Sequence, residues 1–187
     1  MWIFIAGIIS STPDSLLSRS SIIKLCPISK TSFIIVDLIK QLKIYLISLI
    51  IIYCIIGLIF SIEFHKTILL FPFYLIMILM ILFSLSVGLA YIQPYFRDIK
   101  TLIDSSLPAL MWLTPIIYPA SILTGKLALI IKFSPFTILI TPINKILFHG
   151  EIPNLFDHLA LLGLLIITTT ISLIIHKKCA RNVVYYM

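Results

Sequence analysis

Charge is what this sequence has least of. Asp, Glu, Lys and Arg make up 11% of its 187 residues, where a soluble domain carries about a quarter. Hydrophobic residues reach 60% and mean hydropathy is +1.17, which excludes a soluble globular domain and leaves an integral membrane protein. Cysteine is almost missing. Cys26, Cys54 and Cys179 are odd in number, far apart and without metal-ligand spacing, so we expect free thiols rather than a disulfide framework, and no metal. No glycine-rich phosphate loop is present, so ATP chemistry has no home in this chain. No Ser-His-Asp constellation stands out, and His65, His149, His158 and His176 lack partners at metal spacing. We therefore expect no catalytic residues, no cofactor and no enzyme activity. Among the charged residues the acidic ones are the scarcer, 7 against 14 Lys and Arg, for a net charge of +7. The basic residues do not cluster with surface aromatics, so membrane topology explains the excess better than nucleic acid. Residues 1–9 are apolar without a basic flank or a small-residue cleavage pattern, which argues against a signal peptide.

What the sequence has instead is long uncharged runs. Residues 44–62 are long enough to span a bilayer, residues 67–96 exceed one untilted span, and residues 154–175 form a last span. Between the second and third of these lies a charged turn, Arg97, Asp98 and Lys100, leading into an apolar segment broken by Pro108, Pro115 and Pro119. Proline removes an N–H and crowds the preceding turn, so this segment should not cross as one straight helix. Broken helices at membrane depth are a feature of transport proteins. Residues 125–153 carry Lys126, Lys132 and Lys145 between apolar pieces too short to cross, punctuated by Pro135, Pro142, Gly150 and Pro153. They read as short re-entrant or outer-leaflet helices. Residues 1–17 nearly suffice for a span, or form an amphipathic helix outside the membrane. Their polar side (Ser10, Ser11, Asp14, Ser15) should face protein or water. Residues 18–43 form a polar, basic interval with a short capped helix, Ser20-Ser21-Ile22-Ile23-Lys24-Leu25-Cys26-Pro27, which is either a docking helix or a headgroup-contacting loop.

Orientation follows from the basic residues. One side collects Arg19, Lys24, Lys30, Lys40, Lys43, Arg97, Lys100, Lys177, Lys178 and Arg181, and the other only Lys66, Lys126, Lys132 and Lys145. The positive-inside tendency puts the richer side, with the C-terminal tail, in the cytoplasm.

The motif Phe96-Arg97-Asp98-Ile99, followed by Met111-Trp112-Leu113-Thr114-Pro115-Ile116-Ile117-Tyr118-Pro119, resembles the signature of ABC-2-type permeases. These are the membrane subunits of ABC transporters that export O-antigen, capsule and teichoic acid chains. Phe133-Ser134-Pro135-Phe136-Thr137 is similar to that family's Asn-Pro-Leu/Phe-Thr element, with Ser134 in place of asparagine. Phe148-His149-Gly150-Glu151-Ile152-Pro153 resembles the loop before its final helix, and Trp2 to Phe4 the opening of its second membrane helix. The resemblance covers essentially the whole chain as a single domain. It implies an all-α bundle with about five of the family's usual six spans, the family's N-terminal interface helix and first span being missing from this chain. It also implies a homodimer forming a channel for a lipid-linked polysaccharide in the bacterial inner membrane. A separate ATPase subunit would dock at Ser20, Ser21, Ile22, Ile23, Lys24, Leu25, Cys26 and Pro27. Ser134, Pro135, Phe136, Gly150 and Pro153 would belong to a periplasmic gate. Arg97 and Asp98 would form a charge-assisted pair, or merely set topology. Trp112, Tyr118, Tyr91 and Tyr95 would offer flat rings to sugars, or serve as interface anchors. The alternative is a non-transporting remnant or a small membrane scaffold.

Overall fold

The computed structural model describes residues 1–25, 29–60, 66–116, 118 and 125–179, and among these there is no strand. Nine helices follow in order among the described residues: α1 (Trp2–Ser11), α2 (Asp14–Leu17), α3 (Ser20–Leu25), α4 (Lys30–Phe60), α5 (Phe71–Ile92), α6 (Ile99–Leu113), α7 (Gly125–Lys132), α8 (Pro135–Asn144) and α9 (Leu155–Cys179). A 3₁₀ turn (Lys66–Leu70) leads into α5, and a π turn (Lys145–His149) follows α8. Cys26, Pro27, Glu63, His65, Pro119 and Arg181 lie outside the described residues.

The protein is an all-α membrane protein. Lys30–Ile59, Lys66–Ile92 and Leu155–Cys179 are long and apolar enough to cross a bilayer. Two further spans expected from the sequence fall on α1 and α6, which at 10 and 15 residues are shorter than an untilted span of about 20. Large apolar side chains such as Ile39, Ile47, Ile50, Ile55 and Leu58 on α4 stand exposed. In water so large an apolar face would drive aggregation, whereas against lipid tails it costs nothing.

α5 is the centre of the bundle. It buries residues all round, from Tyr74, Ile78, Ile81 and Leu82 to Val87, Ala90 and Tyr91. α9 runs parallel to it. Tyr74 meets His158 near both N-terminal ends, and the Tyr91 and His176 rings stand edge-to-face at 4.8 Å near both C-terminal ends. Gly88 faces α9, where a Cβ would meet Ile175 Cδ1 at 3.5 Å, an ordinary contact. α1 runs antiparallel to α4, with Phe4 stacked on Tyr45 at 4.8 Å and Gly7 against the Gln41 amide. In α9, the hydroxyls of Thr168, Thr169 and Thr170 each donate to carbonyls three and four residues back. That satisfies three polar groups that lipid could not.

Two sequence expectations change. α4 begins at Lys30, well before the uncharged run at residue 44, and reaches about 46 Å. Its first half carries Asp37, Lys40 and Lys43, so much of the basic interval is helix rather than loop. Pro108 does not break α6, which runs through it to Leu113. The break comes at Thr114, held extended (φ −92°, ψ 133°) by Pro115.

Candidate functional site

The contacts sort the chain into two polar ends. At one end lie the C-terminal ends of α1, α5 and α9 and the N-terminal ends of α4 and α6, tied by Arg19–Asp37, Asp14–Lys100 and Tyr95 Oη donating to Cys179 O. Arg19, Lys24, Lys30, Arg97, Lys100, Lys177 and Lys178 gather on these elements, the grouping that the charge count predicted. Arg19 holds Asp37 with a two-pronged fork, Nη1 to Oδ2 at 2.8 Å and Nη2 to Oδ1 at 2.7 Å. The hydrogen bonds that Arg19 donates to Asp37, outweighing burial, hold the Arg19 pKa above its ordinary range. Lys100 is likewise raised by its hydrogen bond to Asp14, with Asp104 adding to the attraction. α3 projects here, with Ile23 buried beneath it and Ile22, Lys24 and Leu25 exposed.

This corrects one expectation. Arg97 and Asp98 do not pair with each other. Asp98 occupies the N-cap position of α6 and both residues are exposed. The bidentate arginine is Arg19 instead, and the lysine of the charged turn reaches across to Asp14.

At the opposite end the residues after α6, together with α7, α8, the π turn and the start of α9, enclose a cleft of about 860 Å³. Its first wall is α8. Ser134 is extended and Pro135 sits at the first helical position, where its missing N–H costs nothing. From that start, spacings of four and three put Thr137, Thr141 and Asn144 along the cleft, while Leu139, Ile140 and Ile143 go into the core. Thr137 Oγ1 is buried without a protein hydrogen-bond partner.

The second wall is the start of α9. Asp157 Oδ2 accepts from Lys145 Nζ at 2.6 Å and from the Asn154 backbone N–H at 2.9 Å. The latter bond closes the helix start in the manner of a capping box. His158 follows, its ring nitrogens placed against Asn154 O at 3.0 Å and Tyr74 Oη. His158 therefore pairs with Tyr74 rather than with Asp157 or Glu151, since Asp157 is already committed to Lys145. Pro115, Ile116 and Tyr118 form the third wall. The rim carries His149, Glu151 and Phe156, with Lys132 Nζ 4.5 Å from the Phe156 ring centroid. Gly150 turns the chain at the mouth with φ 64°, where a side chain is strained.

The structure thus brings Pro115 and Tyr118 together with the segment holding Ser134, Pro135, Phe136, Gly150 and buried Pro153. Phe136 faces away from the cleft to Trp2, 5.2 Å between ring centroids. Other expected residues fall elsewhere. Trp112 is 64% exposed on α6, and Thr114 is buried, its hydroxyl turned back to Leu110 O at 2.8 Å. Tyr91 and Tyr95 pack at the basic end, so of the four aromatics only Tyr118 lines the cleft. Sequence reasoning missed Asn154 and Asp157 as a cap, although an Asn three residues ahead of an acid before an apolar run signals one. It also missed Asp14 and Asp37 as partners, which nothing local marks. Among the described residues no cluster of His, Cys, Asp or Glu could hold a metal ion. No family model and no curated protein matches the chain.

Proposed function

We propose that the chain is the membrane subunit of an ATP-driven exporter that moves a lipid-linked polysaccharide across the bacterial inner membrane. It would act as a homodimer on separate ATPase subunits, with its C-terminus in the cytoplasm. The observation that carries this reading is the division of labour between the two ends. A short helix with an exposed apolar and basic surface, α3, lies at the basic end, and a large cleft of mixed polar and apolar lining lies at the other. Pro115 and Tyr118, from the motif that resembles the permease family, line that cleft. Its hydroxyl, amide and carboxylate groups, with Tyr118 and Phe156, suit a hydroxyl-rich chain that hydrogen-bonds and stacks. ATP hydrolysis belongs to another chain, because no phosphate-binding loop exists in this sequence.

The test is purification from its own cells in mild detergent. The full chain should bring down a nucleotide-binding subunit, and a variant lacking residues 20–27 should reach the membrane without it. A stable full-length preparation that carries no nucleotide-binding partner, from cells whose surface polysaccharide is unchanged by deletion, overturns the reading.

A further inference from the structure

We propose that Asp14–Lys100 and Ser10–Asp104 form a latch at the basic end that sets the position of α6, and through it the width of the cleft at the opposite end. Three observations lead there. First, α6 is weakly held by packing: of its 15 residues only Leu107 is buried. It lies against α1, and polar ties fasten it there. Lys100 Nζ donates to Asp14 Oδ2, and one turn on, Ser10 Oγ donates to Asp104 Oδ1. Residues four apart on a helix share a face, so both ties pull α6 in the same direction.

Second, the far end of α6 is continuous with the cleft wall. Thr114 N and Oγ1 both donate to Leu110 O, Ile116 N donates to Thr114 O at 2.7 Å, and Tyr118 Oη donates to Leu113 O at 3.3 Å. Pro115, Ile116 and Tyr118 are therefore fastened to the end of α6 and travel with it. A helix of this length is about 22 Å long and transmits a tilt at one end as a displacement at the other.

Third, the other half of the latch sits on a firm seat. α1 ends at Ser11 and α2 begins after Pro13, with Thr12 and Pro13 both in helical backbone and Thr12, Ser15 and Leu16 buried. Arg19, just beyond α2, is anchored to Asp37 of α4. Asp14 is therefore held in place against α4, and α6 is the element that shifts when the tie opens. Asp14 and Lys100 are 39% and 38% exposed, and pairs that exposed are individually weak. Weakness suits a contact that opens and closes. The inference deepens the export reading by assigning a control to the same cleft, but the linkage itself needs no ATPase and no glycan.

The experiment uses the full chain in its membrane with Cys26, Cys54 and Cys179 changed to serine. One cysteine is placed at Ile116 on the moving wall, or at His149 on the opposite wall as reference. A hydrophilic maleimide is added to opened membranes, so both faces are accessible. Asp14→Asn and Lys100→Met should each raise the labelling rate at position 116 roughly three- to fivefold, the size a pair of this exposure sustains. The rate at position 149 should not change. The charge exchange Asp14→Lys with Lys100→Asp should restore the original rate. An unchanged rate at 116 in both single variants overturns the proposal. So does an equal rise at 116 and 149, which would mean general loosening, or an exchange that restores nothing. Loss of the ATPase partner would leave these rates as they are, so failure of the export reading and failure of the latch are told apart.

Discussion

Asp157 Oδ2 serves two donors, the Lys145 ammonium and the Asn154 N–H, in a side chain only 10% exposed. Removing it leaves a half-buried ammonium and an uncapped helix start together. Asp157→Ala should therefore lower stability by about 2–3 kcal/mol, read as loss of thermal stability in detergent, while Lys145→Met costs less. Asp157→Asn should fall between, because its amide oxygen still accepts from Asn154 but no longer neutralises Lys145. Thr137 behaves in the opposite way. Its hydroxyl is buried at the cleft wall with no protein partner. Thr137→Val keeps the shape and removes an unpaired group, so stability should hold or rise slightly. If the cleft takes a hydroxyl-rich chain, surface polysaccharide should nevertheless fall, and unchanged export with unchanged stability would remove Thr137 from the cleft's chemistry. Gly150 is limited by its backbone rather than by contacts. At φ 64°, Gly150→Ala should cost about 1–2 kcal/mol and Gly150→Asn less, since asparagine tolerates the left-handed region.

Among elements, α5 and α9 show what the sequence does and does not carry. Their existence is legible in the uncharged runs, because a span must be apolar wherever lipid touches it. Their parallel pairing is not, since no local signal says which face of α9 meets Gly88. The same limit explains the other differences. The start of α8 is readable from Ser134-Pro135, a local capping pattern, and the outer short helices from segments too brief to cross. The early start of α4 is hidden because Asp37, Lys40 and Lys43 look like loop until Arg19 arrives, 18 residues away in sequence, to pair with Asp37. The resemblance implied an Arg97–Asp98 pair or a topology-setting turn, and no pair forms because adjacency in a turn does not aim two side chains at each other. For α5 and α9 the pairing gives a sharp prediction. A Cβ at Gly88 would meet Ile175 at 3.5 Å and the Ser172 backbone at 3.9 Å, ordinary contact distances. Gly88→Ala should thus be tolerated or mildly stabilising. Gly88→Leu must press its branch against Ile175 and the Ser172 backbone or turn it into the adjoining apolar cleft of about 210 Å³, and should lower the folded yield in detergent more than Gly88→Ala. Equal behaviour of the two variants would mean that this contact does not hold the helices.

At the scale of the whole molecule, one asymmetry underlies every functional step argued above: basic residues gather at one end and the large cleft opens at the other. The arrangement rests on contacts far apart in sequence. Asp14 meets Lys100, Tyr95 meets the backbone of Cys179, and Tyr53 Oη donates to Leu147 O at 2.7 Å near the cleft end. Helix directions are therefore fixed relative to one another, and a single orientation assigns all the loops at once. Positive charge is retained on the cytoplasmic side during insertion, so Lys24 and Arg97 should face the cytoplasm while Lys132 and His149 face away from it. Single cysteines at these four positions, in the cysteine-free chain, should divide cleanly under an impermeant maleimide. In intact spheroplasts positions 132 and 149 should label, and positions 24 and 97 only after the membrane is opened. The reverse pattern would put the cleft in the cytoplasm, where a glycan-exporting protein would load rather than release. Labelling of 24 and 149 from the same face would contradict the bundle itself, because α4, α5 and the ties at each end leave no path by which those two segments could share a side.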